Sequence, residues 1–212
     1  MAVRARSGIT DDVVERTRRC EHVIIYGPPG AGKLTVAQVL AERYGMRLLD
    51  NHLSVDPALR LFEFGTPEFV DLVERMRVDL LQAAARAGLD VVATFVYAHV
   101  VDDDHLATLI AASADAGAHV TLVQLLPSNE ALDVRVQAPS RVGTTKITDP
   151  DVLHRLQVEF DLRTPARSED LVIDNTALPA ADVAQLIADQ VGLGPDAGAT
   201  REDVGGECQA AE

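Results

Sequence analysis

Apolar residues occur along this chain in two kinds of segment, and their alternation predicts its fold class. Short runs rich in β-branched residues, such as 23–26 and 91–97, are typical of strands buried on both faces. Longer segments carry apolar residues at helical spacing, as in 67–87, where Pro67 marks the start and Gly88 the end. The predicted strands are 22–27, 46–50, 91–97, 120–126 and 171–174, and the predicted helices begin at Lys33, at Asp56–Pro57, at Pro67, after Asp104, after Ser128, near 150 and at Pro179.

Strands that alternate with helices predict right-handed crossovers and a parallel sheet covered on both faces. We therefore predict an α/β fold with three layers, α/β/α, and a five-stranded parallel sheet. Residues 21–192 form the predicted domain, preceded by an arm at 1–20 and followed by an acidic tail at 193–212 that we expect to be disordered. Ligands of such sheets bind at the carboxyl ends of the strands, so the residues that follow each strand are candidates for a site.

Composition narrows the function classes. Hydrophobic residues make up 47% and charged residues 25% of the 212 residues, which is ordinary for a globular protein. The net charge of −14 argues against a general nucleic-acid binder, which needs a positive field. No stretch is long and apolar enough to cross a membrane, and Cys20 and Cys208 fit no disulfide or zinc framework. We expect a cytoplasmic protein with free thiols.

One glycine-rich segment, GPPGAGKLT at 27–35, lies between the first predicted strand and the first helix. Glycines permit backbone angles that aim successive N–H groups inward, and the following helix N-terminus adds positive potential. Lys33 supplies a point charge that can reach the outer phosphates of a nucleotide. The segment predicts a nucleotide phosphate site, the P-loop, formed by Gly27, Pro29, Gly30, Ala31, Gly32, Lys33, Leu34 and Thr35.

Leu34 occupies the position where most P-loops carry the Ser or Thr that binds Mg²⁺. Thr35 follows, but one residue along a helix is a rotation of about 100°, so its hydroxyl points elsewhere. The segment resembles the adenylate kinases and related nucleotide kinases, whose G-x-P-G-x-G-K-G-T loop differs from it at Leu34. That resemblance implies ATP as the nucleotide and Mg²⁺ held largely through water.

Asp50, Asn51 and His52 follow the second predicted strand. Asp50 is a candidate to orient or deprotonate an acceptor hydroxyl, or to hold Mg²⁺ through water, although an aspartate here could also cap a turn. Asn51, His52, Arg77 and Thr94 are candidate acceptor contacts. His52 could instead be structural and Arg77 a surface residue.

A lid is predicted at 136–148, which contains proline, glycine and threonines, with Arg135 just before it and Arg141 within it. Arg135 and Arg141 could close over a transferred phosphoryl group, or the segment could be a solvated basic loop. The layout of 131–190 resembles shikimate-kinase-like and gluconate-kinase-like kinases and chloramphenicol phosphotransferase. The resemblance implies catalytic roles for Arg135 and Arg141, a further helix with Arg163, and an adenine-side turn at Asp174, Asn175 and Thr176.

The same resemblance has departures that bear on the substrate. The shikimate kinases have a second aspartate where this chain has His52, and a glycine triplet where it has 94–97. A shikimate substrate is therefore not expected. The cluster of His99, Asp102, Asp103, Asp104 and His105 fits a helix cap better than a metal site, because consecutive residues cannot all converge on one ion.

The sequence thus predicts a kinase of the P-loop class that moves the γ-phosphate of ATP to a small-molecule acceptor, with Mg²⁺ as cofactor. The acceptor group is expected to be a hydroxyl. Two alternatives stay open: a nucleoside monophosphate kinase, and a nucleotide-binding regulatory protein without transfer activity. The sequence defines neither the acceptor nor the oligomeric state.

Overall fold

A five-stranded parallel sheet forms the centre of the computed structural model, which describes residues 19–194. All four strand pairings are parallel, and the order across the sheet is β2-β3-β1-β4-β5. The predicted fold class is confirmed. The strands are β1 Glu21–Tyr26, β2 Arg47–Leu49, β3 Val91–Phe95, β4 His119–Leu125 and β5 Leu171–Ile173.

Seven α-helices of the described chain cover the two faces of the sheet. One apolar core lies between the sheet and the layer of helices that contains the first and last helices. A second core lies between the sheet and the helices on its opposite face. The helices are α1 Lys33–Tyr44, α2 His52–Leu59, α3 Pro67–Arg86, α4 Asp103–Asp115, α5 Asn129–Val136, α6 Pro150–Glu159 and α7 Ala180–Val191, with a 3-10 turn at Pro139–Arg141.

The central strand β1 shows why a continuous apolar run suits this architecture. Successive side chains of a strand point to opposite faces. Val23 and Ile25 enter the core with α1 and α7, whereas Ile24 and Tyr26 enter the core with α3 and α4. Every residue of β1 is buried, so neither face of this strand is exposed to solvent.

Two helix boundaries differ from the sequence prediction. Helix α2 begins at His52 rather than at Pro57, which lies inside it. The Asp50 carboxylate accepts a hydrogen bond from the His52 N–H and starts the turn earlier. Helix α6 ends at Glu159 rather than near 163, because Phe160 already has an extended backbone.

The predicted arm and tail lie almost wholly outside the described residues, as does Cys208. At their inner edges, Cys20 and Leu193 are both buried, so the core extends one residue beyond each predicted boundary. Burial raises the pKa of the Cys20 thiol, which donates to the Ala85 carbonyl. In the described part of the chain no helix is long and apolar enough to span a membrane.

Candidate active site

The P-loop follows β1 directly and is held tightly by the elements beside it. A Cβ at Gly27 would lie 2.3 Å from the Leu125 carbonyl oxygen, and its φ of 137° disfavours any side chain. At Gly30 a Cβ would lie 2.9 Å from a methyl group of Val136. The carboxyl ends of β4 and α5 therefore pack closely against the loop, and glycine is required at positions 27 and 30.

Lys33 is buried at the start of α1 with its ammonium group turned back into the loop. Its Nζ donates to the carbonyl oxygens of Gly27 and Pro28, both at 2.8 Å. Burial, with a smaller contribution from the Arg141 charge, lowers the pKa of Lys33 to about 7. A nucleotide phosphate would supply the negative charge that this site lacks.

The residues after Lys33 differ in exposure. Leu34 is half-buried and Thr35 is exposed on the first turn of α1. The Thr35 hydroxyl is therefore open to a ligand, while Leu34 offers no oxygen to a metal. Acidic side chains at this end of the sheet include Asp50, which follows β2, and Asp174, which follows β5.

Asn175 connects the P-loop to the loop between β5 and α7. Its Nδ2 donates to the Ala31 carbonyl oxygen at 2.8 Å, and its Oδ1 is buried with no hydrogen-bond partner. In the same loop, Thr176 Oγ1 accepts from the Ser128 N–H and Asp174 Oδ1 accepts from the Thr176 N–H. The predicted adenine-side turn thus lies against the P-loop, and the hydrogen bond of Asn175 to Ala31 joins the two.

The guanidinium of Arg135 lies against the β5–α7 loop. Its Nη2 donates to the carbonyl oxygens of Asn175 and Thr176, at 2.8 and 3.1 Å, while its Nη1 is buried with no hydrogen-bond partner. Val136 packs on the P-loop, so the neighbouring side chain points towards the β5–α7 loop. The catalytic role predicted for Arg135 stays a prediction.

Arg141 lies in the predicted lid. Its Nε donates to the Ile147 carbonyl oxygen at 2.8 Å, which folds the lid on itself. Its charge contributes to the lowered pKa of Lys33. Burial lowers the pKa of Arg141 as well.

His52 contacts the lid rather than the acceptor cleft. Its Nδ1 lies 2.9 Å from Thr145 Oγ1 and 3.1 Å from Asp56 Oδ1, and the Thr145 hydroxyl also lies 3.0 Å from Asp56. These contacts join the lid to α2. The contacts use the Nδ1 atom of the ring, and the predicted acceptor contact of His52 stays a prediction.

A narrow cleft of about 20 Å³ lies at the carboxyl ends of β2 and β3, where the predicted acceptor residues Asn51, Arg77 and Thr94 meet. Arg77 reaches into it from α3 and donates to Asn51 Oδ1 at 2.6 Å and to Ser54 Oγ at 3.0 Å. Thr94 Oγ1 accepts from the Asn51 N–H at 3.0 Å. The lining residues are Ile24, Leu49, Asp50, Asn51, Ser54, Arg77, Leu81, Ala93, Thr94, Phe95 and Leu109.

Contacts with Phe95 and His105, which the sequence does not predict, hold the Arg77 side chain in one orientation. Its guanidinium stacks over the Phe95 ring at 5.0 Å, and its Nη1 lies 3.5 Å from His105 Nε2. Burial lowers the pKa of His105 to about 4, so the ring is neutral beside the cation. The carboxylates of Asp102 and Glu74 act on Arg77 in the opposite sense to its burial, which lowers the pKa of Arg77 to about 10.

The acidic run before α4 is structural, although not in the manner of a simple helix cap. Asp102 Oδ2 accepts from the Ala98 N–H, and Asp103 Oδ1 accepts from the Tyr97 hydroxyl and the Val100 N–H. These bonds hold the loop after β3. Across residues 19–194, no group of three or more His, Cys, Asp or Glu side chains could hold a metal ion.

Arg163 does not share the phosphate side with Arg141. It follows the end of α6, and its Nη1 donates to Pro127 O at 3.3 Å and Asn129 Oδ1 at 3.2 Å. The early end of the helix turns this residue towards the start of α5. Arg163 thus lies after the helix on which the resemblance would place it.

Comparisons with known proteins show the fold. No family model matches this chain, and no curated protein matches it. A sugar kinase from a Janibacter species is 17% identical, with a TM-score of 0.60 over 83% of this chain and 96% of that one. The tunicamycin resistance protein of Deinococcus radiodurans is 24% identical, with a TM-score of 0.59 over 84% and 98%. The APS kinase of Mycobacterium tuberculosis, in complex with AMPPNP and APS, is 17% identical, with a TM-score of 0.54 over 82% and 98%.

Shikimate kinases also have this fold. The chain therefore has the fold of the P-loop kinases, and the predicted resemblance to that group is confirmed. One structure of this fold is a complex with shikimate, and another is a complex with AMPPNP and APS. The fold consequently does not identify an acceptor for this chain.

Proposed function

We propose that this protein is an ATP-dependent phosphotransferase that moves the γ-phosphoryl group of ATP to a hydroxyl of a small molecule. The observation that supports it is the buried Lys33 of the glycine-rich loop, on which the charge of Arg141 acts, together with Asp50 directly after β2. Phosphoryl transfer needs donors and cations placed around the transferred group and an oriented acceptor. These are the parts that the arrangement supplies.

Each part has a role in the proposal. The phosphates replace the Gly27 and Pro28 carbonyls as partners of the Lys33 ammonium group. Arg141 approaches the transferred group from the lid, and Asp50 accepts a hydrogen bond from the acceptor hydroxyl or takes its proton. Mg²⁺ would enter with the ATP phosphates and neutralise their charge, and Asp50 would reach it through water, since Leu34 cannot.

The chain offers a matched pair for the test, because Lys33 and Lys146 are its two lysines. We expect Lys33→Ala to weaken ATP binding by about a hundredfold, since several charge-assisted hydrogen bonds are lost. Lys146→Ala should leave the affinity unchanged. Isothermal titration calorimetry with ATP and a nonhydrolysable analogue measures both. Equal affinities of Lys33→Ala and the wild type would contradict the proposal.

A nucleotide-binding regulatory protein without transfer activity is the second candidate, and Leu34 favours it because it removes a metal ligand. ATP binding without ADP production, across a panel of alcohols, sugars and nucleoside monophosphates, would support this candidate. ADP production that depends on an added acceptor would exclude it.

A further inference from the structure

His52 contacts two parts of the candidate site at once, one through its backbone and one through its ring. Its N–H donates to Asp50 Oδ1 at 2.7 Å. Its ring Nδ1 lies 2.9 Å from Thr145 Oγ1 in the lid and 3.1 Å from Asp56 Oδ1 on α2. The lid bridge consists of His52, Asp56 and Thr145. The first residue of α2 therefore lies between the lid and the carboxylate that the proposed function assigns to the acceptor.

The hydrogen-bond directions in the lid bridge follow from the protons that its members carry. The Thr145 hydroxyl has one proton and donates it to Asp56 Oδ1 at 3.0 Å. The Thr145 oxygen therefore accepts from His52, which assigns a proton to Nδ1 of the ring. Burial alone would raise the pKa of Asp56, but the hydrogen bonds from His52 and Thr145 lower it. The lid is thus joined to α2 through a charged carboxylate, and such hydrogen bonds are the strong ones.

The backbone contact of His52 fixes the Asp50 carboxylate. A carboxylate that accepts a backbone N–H at the start of a helix is held in one orientation, because the donor is part of the helical turn. One oxygen of Asp50 is used in this way, and the other is the oxygen that would accept the hydrogen bond of an acceptor hydroxyl. The donating N–H and the bridging ring belong to the same residue. A shift of the first turn of α2 with the lid therefore moves the donor that holds Asp50.

We infer that His52 is a positioning residue, which couples the closed lid to the orientation of Asp50. The inference rests on the proposed function for the role of Asp50 towards an acceptor. It gives the ring a different task from the predicted acceptor contact. The coupling uses Nδ1, whereas an acceptor contact would use Nε2, so substitutions that keep one nitrogen or the other separate the two roles.

Two substitutions of His52 distinguish its ring nitrogens. The amide N–H of an asparagine lies close to the position of Nδ1, and that of a glutamine lies close to the position of Nε2. We expect His52→Gln to lower kcat by about threefold because the lid closes less often, and His52→Asn to stay within about twofold of the wild type. KM for the acceptor should not change. Initial rates of ADP production, with the most active compound of the panel of alcohols, sugars and nucleoside monophosphates, measure both constants.

The opposite pattern would overturn the inference. A loss of activity in His52→Asn with full activity in His52→Gln, or a rise in KM in both variants, would support the acceptor contact instead. An unchanged kcat in both variants would show that the bridge has no role in turnover. His154→Gln is the control, because His154 of α6 also pairs with an aspartate, Asp133 of α5. It should leave kcat unchanged.

The coupling also predicts that His52 and Thr145 act as one unit. We expect the double variant His52→Gln/Thr145→Val to lower kcat by about threefold, as each single variant does, because both substitutions remove the same bridge. Independent effects would multiply to about ninefold, and that result would contradict the coupling.

The connection from the lid to Asp50 is also measurable without turnover. In ¹⁵N-labelled protein saturated with a nonhydrolysable ATP analogue, the nuclear magnetic resonance signal of the His52 amide proton should lie at low field, as expected for a short hydrogen bond to a carboxylate. Thr145→Val should move this signal to higher field. Thr144→Val should not, because the Thr144 hydroxyl bonds to Arg141 O and Lys146 N within the lid.

A His52 signal that Thr145→Val left in place would overturn the inference, whatever the activity of the protein. A protein that showed the shift but produced no ADP with any compound of the panel would contradict the proposed function. The coupling between the lid and Asp50 would then still be established, because the signal does not depend on transfer.

Discussion

The phosphate side and the acceptor side of this cleft are built in different ways. The phosphate side is a contiguous loop whose glycines and Lys33 are neighbours in the chain, and it gathers positive charge. The acceptor side is assembled from residues between Ile24 and Leu109 that belong to several strands and helices, and its one cation is compensated. In the proposed function, this difference separates the part that would bind the phosphate donor from the part that would select the acceptor.

The two sides also differ in what holds them. Backbone conformation and close packing fix the P-loop, since Gly27 lies against the Leu125 carbonyl. Side-chain hydrogen bonds fix the acceptor wall, since Arg77 joins α3 to Asn51 and Ser54. A substitution in the P-loop should therefore lower the stability of the fold. A substitution in the acceptor wall should change kcat/KM for the acceptor more than it changes the affinity for ATP.

The largest expected effect is on the phosphate side, in Gly27→Ala. The new Cβ would lie 2.3 Å from a backbone oxygen at a φ of 137°. We expect the free energy of unfolding to fall by about 3 kcal/mol or more. Urea denaturation followed by circular dichroism measures this, because the chain has no Trp.

Gly88→Ala is the control for that prediction. Gly88 also has a positive φ, of 68°, but nothing lies within 4 Å of the added Cβ. At this position the free energy of unfolding should fall by only about 1 kcal/mol, the conformational cost of a side chain at positive φ. If both variants lost the same free energy, packing against β4 would not be what fixes the P-loop.

On the acceptor side, Arg77→Ala should lower kcat/KM for the acceptor by about a hundredfold, because it removes the group that orients Asn51 and Ser54. The affinity for ATP should change by less than about threefold. Initial rates with varied acceptor, and calorimetry with ATP, test the two parts.

Arg75→Ala provides the comparison for Arg77. Arg75 is on the same helix but is exposed and pairs with Asp71. We expect it to leave both quantities unchanged, because exposed ion pairs contribute little. A loss of ATP affinity in Arg77→Ala that equalled the acceptor effect would show that the two sides are not separable.

A third prediction concerns the pH dependence of the phosphate side. The pKa of Lys33 is about 7 in the folded protein and is near 10.5 for a free lysine. Between those values the unfolded chain binds more protons, so this group makes the protein more stable as pH rises from about 7 to about 10.5. Bound ATP favours the charged form of Lys33. The affinity of the protein for ATP should therefore fall as pH rises above about 7 and Lys33 loses its proton, by up to about tenfold per pH unit.

Lysine labelling makes this measurable, since the two lysines give two ¹³Cε signals. The Lys33 signal should titrate near neutral pH and move to a higher pKa when ATP is added, with Lys146 as internal reference. Calorimetry at pH 8 in buffers of different ionisation enthalpy should show proton uptake. A Lys33 signal that titrated with Lys146 would refute the expected proton uptake.

The smallest expected effect tests the bridge between the lid and α2. Thr145→Val removes the hydroxyl that contacts His52 and Asp56 and should lower kcat by about threefold, because the lid closes less often. The stability of the protein should change by less than about 0.5 kcal/mol at this exposed site. Hydrogen exchange of residues 139–147 should increase, and Thr145→Ser should restore wild-type behaviour.

Much of the fold was predictable from the sequence because its signals are local. The β-branched runs, Pro67, Gly88 and the spacing of apolar residues predict strands and helices close to those observed. The start of α2 was missed because a side chain, the Asp50 carboxylate, opens the turn. The end of α6 was missed because helical spacing continues past Glu159 although the backbone does not.

The candidate site was predictable in part. Residue type and position at the strand ends selected Asp50, Asn51 and Thr94, which do line one cleft. The same reasoning could not orient Arg135, whose direction depends on how α5 packs on the P-loop. The partners of Arg77 on α4 were also not identified, because nothing in the sequence links His105 to a residue 28 positions earlier.

By itself the sequence determined the class of the protein and its phosphate loop, because the φ angles, glycines and lysine that form this loop act among neighbouring residues. Only the tertiary structure decided which side chains meet at the cleft and which join the lid to α2. Arg77 and Asn51 are 26 positions apart, and Thr145 and His52 are 93 apart. Their contacts, and the charge balance that results, follow from the packing of helices on the sheet, which no local pattern of residues specifies.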